Sequence, residues 1–209
     1  MSGRRIRVLC VDDHRIVREG ISLIINRQSD MEVVALAASG EEAVALHRKY
    51  RPDVTLMDLQ LGAMSGVEAI RAIRSESGAA NIVVLTMYQG DEDIYRAIEA
   101  GASTYLLKDT LSDDLIRIVR EVHAGRHPIR PDVQARLAER NARPALTARE
   151  VEVLELIAEG MRNKEIGAAL GISEETAQVH VKHILAKLKV KDRSAAITVA
   201  LRRGIIHLS

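Results

Sequence analysis

The stretch Pro52-Asp-Val-Thr-Leu-Met-Asp-Leu-Gln60 decides the fold of the first half of this 209-residue chain. Val54 to Met57 form a short apolar run with β-branched residues, which is typical of a strand buried on both faces of a parallel sheet. Asp58 follows this run directly and stands at the carboxyl end of the predicted strand. Because ligand sites of open α/β sheets form at the carboxyl ends of strands, Asp58 is the first candidate for a functional residue.

Similar apolar runs recur along the first half and alternate with helical patterns. They predict four further strands, at residues 6–11, 31–37, 81–86 and 103–107. The intervening and following segments predict helices at residues 14–26, 39–50, 65–74, 91–100 and 112–122. Capping boxes open two of these helices, at Ser39 and Ser65, and Ser112 is the expected N-cap of the last one. Five β-α units in a row predict an α/β fold with a doubly wound parallel sheet.

Charged and polar residues follow four of the five predicted strands. They are Asp12 with Asp13, Asp58, Thr86 and Lys108. Right-handed crossovers bring the carboxyl ends of the strands to one edge of the sheet, where three carboxylates repel one another unless a cation joins them. An all-oxygen cluster of this kind suits Mg²⁺. A carboxylate beside Mg²⁺ can attack phosphorus, while a lysine and a hydroxyl bind the phosphate oxygens.

Other roles remain open for these residues when each is considered alone. The acids could occupy turns, and the lysine could be a solvated loop residue. A phosphatase with a nucleophilic aspartate is a further possibility, but such enzymes usually carry a second acid two residues later, where this chain has Gln60. We expect His14 to lie in the first turn of a helix and not to bind a metal.

Four motifs in this order resemble the receiver domain of two-component response regulators, and the resemblance covers residues 6–122. The motifs are Leu9-Cys-Val-Asp-Asp-His14, Leu56-Met-Asp-Leu59, Val84-Leu-Thr-Met87 and Gly101-Ala-Ser-Thr-Tyr-Leu-Leu-Lys-Asp109. The resemblance implies that Asp58 accepts a phosphoryl group from a sensor histidine kinase. It also implies that Asp12, Asp13, Asp58 and the Gln60 main-chain carbonyl hold Mg²⁺. Thr86 would be the switch hydroxyl, and Tyr105 would be the aromatic residue that turns inward on activation.

The loop after Asp58 departs from the family pattern at one position. The family usually has proline four residues after the acceptor, where this chain has Gly62, and glycine leaves the backbone more freedom. We also predict that Gln60 and Tyr88, two residues past Asp58 and Thr86, tune hydrolysis of the phosphate. A receiver-like domain that is never phosphorylated remains an alternative.

Charge and composition divide the chain into two halves. Residues 1–122 contain 15 Lys+Arg and 19 Asp+Glu, whereas residues 123–209 contain 15 and 10. A basic half suggests nucleic acid as a partner. The proline- and arginine-containing segment 123–143 predicts a linker, with a short helix from Pro131, so the expected domains are 4–122, 123–143 and 144–209. With no membrane-length apolar run, no visible signal peptide and a single cysteine, we expect a cytoplasmic protein without an intrachain disulfide.

The second half predicts four helices. Leu146-Thr-Ala-Arg-Glu150 is a capping box with a preceding apolar residue, and Asn163 is the expected cap of a short second helix. The turn Gly171-Ile-Ser173 then leads into a third helix, so the two helices around it form a helix-turn-helix. The fourth helix begins near Arg193.

The helix after the turn has a basic, mixed face that fits a DNA major groove. Val179 offers an apolar contact to a thymine methyl group, and Gln178 can hydrogen-bond a base edge. The full set of predicted DNA contacts is Lys164, Thr176, Gln178, Val179, Lys182, His183 and Lys187.

Three stretches of the second half resemble the four-helix DNA-binding domain of the LuxR type, over residues 144–207. They are Leu146-Thr-Ala-Arg-Glu150, Gly160-Met-Arg-Asn-Lys-Glu-Ile166 and Thr176-Ala-Gln-Val-His-Val-Lys-His-Ile184. With a receiver in front, the whole chain resembles a NarL/FixJ response regulator. This implies a transcription regulator that is not an enzyme in the usual sense, that binds promoter DNA, and that forms a homodimer on activation, with residues 194–203 as a dimer contact. A constitutive DNA-binding protein and a phosphorylation-switched adaptor that binds protein are the alternatives.

Overall fold

Strands and helices alternate through the first part of the chain in the computed structural model, which describes residues 4–87, 90–108, 113–127 and 131–207. The strands are β1 (Ile6–Val11), β2 (Met31–Ala37), β3 (Val54–Asp58), β4 (Ile82–Thr86) and β5 (Thr104–Leu107). The helices are α1 (Arg15–Asn26), α2 (Gly40–Tyr50), α3 (Gly66–Glu76), α4 (Asp91–Glu99) and α5 (Asp113–His123). The predictions for Tyr88 and Ser112 fall outside the described residues.

The five strands form one parallel sheet, as the sequence predicts, and their order in it is β2-β1-β3-β4-β5. All residues of β3 and β4 are buried, which explains their unbroken apolar sequences. On one face, aliphatic side chains of β1, β3 and β4 pack with the buried residues of α1 and α5. The strand order reverses its direction between β1 and β3, so the crevice at their carboxyl ends is where this fold binds ligands.

Side-chain caps set the starts of α2 and α3. Ser65 and Glu68 form the predicted reciprocal capping box at α3. At α2, Ser39 Oγ accepts a hydrogen bond from the Glu42 main chain, as predicted, but the Glu42 carboxylate accepts from the Ala38 N–H instead of that of Ser39. The motif at α2 therefore differs from a capping box in one of its two hydrogen bonds, because the Glu42 side chain bonds the residue before the N-cap.

The second part of the chain is helical. Its helices are α6 (Pro131–Asn141), α7 (Ala148–Ala158), α8 (Asn163–Leu170), α9 (Glu174–Leu188) and α10 (Arg193–Arg203). The last four bury one aliphatic core, to which α7 contributes Val153, Leu154 and Ile157. The predicted four-helix domain is thus confirmed, and the Thr147–Glu150 capping box opens its first helix.

The predicted N-cap of α8 is wrong. Arg162 occupies the N-cap position, and its main-chain N–H donates to the Glu165 carboxylate. Asn163 is the first helical residue, and its side-chain oxygen accepts a hydrogen bond from Arg193 at the start of α10. Arg193, which lies 30 residues further along the chain, therefore binds the side-chain oxygen of Asn163 that we expected to cap the helix.

Two compact units divide the chain. One comprises Met1–Tyr88 with Ile94–Val133, and the other comprises Gln89–Asp93 with Gln134–Ser209. Within the described residues, no helix has both the length and the apolar character that crossing a membrane requires.

Candidate functional site

Strand register brings four of the predicted site residues to one edge of the sheet. Val11 pairs with Met57, so Asp12 follows β1 at the level of Asp58. Asp58 pairs with Leu85, and Thr86 pairs with Leu107. Thr86 is therefore one residue beyond the level of Asp58, and Lys108 lies one residue beyond Thr86.

The Lys108 ammonium group joins the two buried carboxylates. Its Nζ lies 2.7 Å from Asp58 Oδ2 and 2.5 Å from Asp12 Oδ2. Asp12 and Asp58 are only 1% and 4% exposed, so this cation provides the close positive charge that two buried acids require. In this structure Lys108 Nζ lies between the two acids. A phosphoryl group or a metal ion that bound there would share these carboxylates with Lys108.

Burial and ion pairing act in opposite directions at this site. Burial raises the pKa of Asp58, and the Lys108 hydrogen bond and the Gln60 main-chain N–H only partly oppose that shift. Burial alone would lower the pKa of Lys108, but the two neighbouring carboxylates outweigh it and raise that pKa. Lys108 therefore carries its positive charge near neutral pH, which is the state that an anionic phosphoryl group requires.

The residues present fit a divalent cation. Asp12, Asp13, His14 and Asp58 each place one ligand atom within 4.8 Å of the others. Carboxylate oxygens are the ligands that Mg²⁺ prefers, and Asp13, which is 43% exposed, keeps one side of the cluster open to water. The prediction that Asp12, Asp13 and Asp58 come together is borne out by this geometry; which of them bind the ion remains a prediction.

The loop after Asp58 is anchored at its end by a hydrogen bond and has open space around its centre. The Gly66 N–H donates to the Leu59 carbonyl at 2.9 Å, and a Cβ added to Gly66 would lie 2.0 Å from the Asp58 carbonyl oxygen. Only glycine permits this approach of α3 to the end of β3. Between these anchors Gly62 has a φ of +32°, with open space around it. Proline cannot adopt this φ, so the glycine noted in the sequence gives the loop a different path.

The two predicted switch residues are already inside the protein. Thr86 is fully buried, and Tyr105 is 3% exposed. The resemblance implies that Tyr105 turns inward on activation, but in this structure its side chain is already buried.

The predicted DNA contacts share the exposed side of the helix-turn-helix. Gly171 ends α8 in the left-handed conformation, with φ +66°, and Ser173 caps α9 by accepting from the Thr176 N–H. The α9 residues Ala177, Val181, Ile184 and Leu188 face the core. The opposite side exposes Thr176, Gln178, Val179, Lys182 and His183, and Lys164 is exposed on α8.

Lys187 differs from the other predicted DNA contacts. Its Nζ lies 2.6 Å from Glu150 Oε2, and Glu150 is 3% exposed. The same carboxylate accepts from the Thr147 N–H and hydroxyl, so Lys187 balances the charge of a buried capping group. A phosphate contact by Lys187 would compete with this ion pair.

Comparisons with known proteins match both units. The family described as "Response regulator receiver domain" matches residues 8–120, and the family "Bacterial regulatory proteins, luxR family" matches residues 144–200. A similar protein is the response regulator protein VraR of Staphylococcus aureus (strain NCTC 8325 / PS 47), which is 41% identical over 207 residues, covering 97% of this chain and 99% of VraR. The chain is a two-component response regulator.

Solved structures agree with this assignment. The response regulator ChrA of a haem-sensing two-component system is 38% identical, covers 97% of this chain and 99% of its own, and has a TM-score of 0.58. A structure of RcsB from Salmonella enterica serovar Typhimurium, at 24% identity and a TM-score of 0.70 over 94% of this chain and 98% of its own, shares the fold. This response regulator thus has a receiver domain and a LuxR-type DNA-binding domain, which is the domain combination of transcription regulators.

Sequence reasoning missed two contacts of the regulator's site. The His14 side chain lies against the acids, with Nδ1 2.6 Å from Asp13 Oδ1, although we expected it to serve only the helix start. Arg18 hydrogen-bonds the Asp12 main-chain carbonyl and so braces the loop after β1. The i, i+4 spacing of His14 and Arg18 placed both on the same side of the start of α1, which was the available signal.

Proposed function

We propose that this response regulator is switched by phosphorylation of Asp58 and then binds promoter DNA as a dimer. The observation that carries the proposal is the Lys108 ammonium, held within 2.7 Å of the acceptor carboxylate at the carboxyl edge of the sheet. A receiver domain implies a sensor histidine kinase as phosphodonor, and the LuxR-type domain implies double-stranded DNA as target.

The transfer uses Asp58 as a nucleophile. One of its carboxylate oxygens forms a bond to phosphorus while the P–N bond of the kinase phosphohistidine breaks, and the departing imidazole keeps the bonding electron pair. Lys108 exchanges part of its contact with Asp58 for a phosphoryl oxygen, and the Thr86 hydroxyl donates to another. A shift of Thr86 towards the phosphoryl group and a repacking of Tyr105 would change the surface formed by β4, α4 and β5.

Mg²⁺ is the cofactor of this proposal. The carboxylates of Asp12, Asp13 and Asp58 and the Gln60 main-chain carbonyl would hold it. A bound Mg²⁺ would supply positive charge beside the phosphoryl oxygens and so reduce their repulsion from the acids. The Gln60 N–H already interacts with the Asp58 carboxylate, which places this backbone segment at the acceptor.

DNA recognition is assigned to the exposed side of α9. Val179 is a large apolar residue that is 50% exposed, and it lies between the exposed Thr176 and Lys182 on the same face. A major groove would cover Val179, while Lys164 and Lys182 meet phosphates. Dimerisation, with α10 as one contact between subunits, would place two copies of α9 on two half-sites.

Intact mass after incubation with a small phosphodonor and Mg²⁺ tests the first step. We expect the wild type to gain one phosphoryl group and Asp58→Asn to gain none. Asp114→Asn, which removes a carboxylate from an exposed ion pair with Arg117, is the control and should be phosphorylated like the wild type. Phosphorylation of Asp58→Asn, or none in any variant, would contradict the assignment.

Fluorescence anisotropy with promoter DNA separates the switch from its alternative. We expect phosphorylated wild type to bind more tightly than unphosphorylated protein, together with a monomer-to-dimer shift in sedimentation. A constitutive DNA-binding regulator with an unphosphorylated receiver would bind equally well under both conditions.

A further inference from the structure

We propose that the imidazole of His14 is a ligand in the cation site beside Asp58, and that this nitrogen ligand strengthens the binding of transition-metal ions such as Mn²⁺ and Co²⁺ but not that of Mg²⁺. The inference rests on the proposed metal site and concerns its selectivity. It adds a nitrogen ligand to a set that the family resemblance describes as oxygen only.

His14 has no structural task at the helix start that would occupy its side chain. It is the N-cap residue of α1 with extended backbone angles, φ −81° and ψ 110°, but its side chain makes no capping hydrogen bond. Its main-chain N–H instead donates to Asp12 Oδ1 at 2.9 Å. That hydrogen bond holds the backbone of His14 against Asp12, the most deeply buried acid of the cluster, and so fixes the position of the His14 Cα from which the side chain extends.

The imidazole is directed at the acids although solvent is available to it. Its side chain is 71% exposed, yet Nδ1 lies 2.6 Å from Asp13 Oδ1 and 3.5 Å from Asp12 Oδ1. Ligands about 2.1 Å from an octahedral ion lie about 3.0 Å apart when adjacent and about 4.2 Å apart when opposite. The ligand atoms of His14 and the three aspartates, all within 4.8 Å of one another, therefore need only small side-chain movements to surround one ion.

The charge balance of the buried acids gives a second reason to place an ion here. Lys108 Nζ, 2.5 Å from Asp12 Oδ2, is the cation that offsets the charge of Asp12. Lys108 also serves Asp58. One ammonium group shared between two buried carboxylates leaves room for a second positive charge on the open side, where Asp13 and His14 lie.

A nitrogen ligand changes which ions the site prefers. Imidazole suits first-row transition metals, whereas carboxylate and carbonyl oxygens suit Mg²⁺. An all-aspartate site gains little from exchanging Mg²⁺ for Mn²⁺ or Co²⁺ beyond the general order of affinities. A site with His14 as ligand gains a metal–nitrogen bond that Mg²⁺ makes poorly.

Metal binding to the full-length protein, measured without phosphodonor, tests this inference. The titrations are calorimetry for Mg²⁺ and Mn²⁺ and visible absorption for Co²⁺, on wild type, His14→Ala and Asp58→Asn. His127→Ala is the matched control, because it removes an exposed imidazole outside the cluster. We expect His14→Ala to weaken Mn²⁺ and Co²⁺ by at least about tenfold and Mg²⁺ by less than about twofold, and His127→Ala to bind like wild type.

Three outcomes of these titrations would overturn the inference. An equal loss for Mg²⁺ and Mn²⁺ in His14→Ala would mean that His14 only positions Asp13 by a hydrogen bond. Unchanged affinities in His14→Ala would mean that the contact with Asp13 is incidental. An Mn²⁺ affinity in Asp58→Asn equal to that of the wild type would place the ion elsewhere. A wild type that binds Mn²⁺ through His14 but gains no phosphoryl group would leave this inference standing and refute the proposed function.

Discussion

The acidic edge of the receiver sheet and the exposed face of α9 differ in where their charged side chains lie: those of the sheet edge are buried and paired, and those of α9 are exposed to solvent. At the sheet edge, Asp12, Asp58 and the Lys108 side chain are nearly inaccessible to solvent, and Lys108 Nζ lies within 2.7 Å of both carboxylates. On α9, Lys182 and His183 are exposed and Val179 is half exposed. Substitution at the first region should disturb both folding and chemistry, whereas substitution at the second should disturb binding alone. Glu150 and Lys187 are intermediate between these two cases, because a buried carboxylate of the DNA-binding domain pairs with a partly buried lysine.

The largest effect is expected for Lys108→Met. It leaves two buried carboxylates without their cation, so we expect the free energy of unfolding of the receiver unit to fall by about 3–5 kcal/mol. Urea unfolding followed by circular dichroism measures this change, and millimolar Mg²⁺ should recover part of it by replacing the lost charge. An unfolding midpoint equal to that of the wild type would show that the ion bridge contributes nothing.

A smaller loss is expected when Glu150 loses its charge. Burial alone would raise the pKa of Glu150, but the Lys187 and Thr147 hydrogen bonds outweigh it and lower that pKa. The stability that Glu150 contributes is therefore present above its unfolded pKa, about 4.5, and is lost as the pH falls through the lower folded value.

Thermal unfolding of the DNA-binding domain at several pH values tests this interaction. Glu150→Gln should lower the stability at pH 7 by about 2 kcal/mol, because it leaves Lys187 without its acid. Its deficit relative to the wild type should shrink below pH 4. A constant difference across the whole range would mean that the charge of Glu150 is irrelevant.

Backbone strain at Gly62 predicts the next effect. Gly62→Ala meets no neighbouring atom but must adopt a φ of +32°, so it should cost about 1–2 kcal/mol. Gly62→Pro cannot keep this φ, and we expect it to rebuild the loop and to change the lifetime of the Asp58 phosphate more than the alanine variant does. Decay of the phosphorylated form, followed by mass spectrometry, compares the two variants. Equal phosphate lifetimes in both variants and in the wild type would show that the path of this loop does not affect hydrolysis of the Asp58 phosphate.

The smallest effects on stability belong to α9. Val179→Ala and Lys182→Ala should change the free energy of unfolding by less than about 0.5 kcal/mol, since both side chains are exposed to solvent. Each should weaken promoter binding by about 1 kcal/mol or more, and Lys182→Ala should also reduce the salt dependence of binding. Ala135→Ser, an exposed neutral change on α6 and outside α9, is the control. Loss of stability without loss of binding would assign this face to the core and not to DNA.

Local signals predicted most of the fold. Apolar runs located all five strands, and the Ser65 and Thr147 capping boxes marked two helix starts that the structure confirms. The prediction for Asn163 was wrong because a local capping signal competed with a distant donor, Arg193. Propensity and spacing describe neighbours along the chain, so they cannot reveal a partner that the fold brings from another helix.

The sequence by itself determined the order of elements, the family and the chemical types at the site, because apolar periodicity and motif spacing are properties of the chain alone. The tertiary structure decided which charges meet. Lys108 lies 50 residues after Asp58, and Lys187 lies 37 residues after Glu150, yet each pair is in contact. The positive φ of Gly62 and the turn of the His14 imidazole towards Asp13 were likewise decided only in three dimensions. Burial is the physical reason: a carboxylate removed from water requires a cation, and only the packed fold determines which one is near enough to serve.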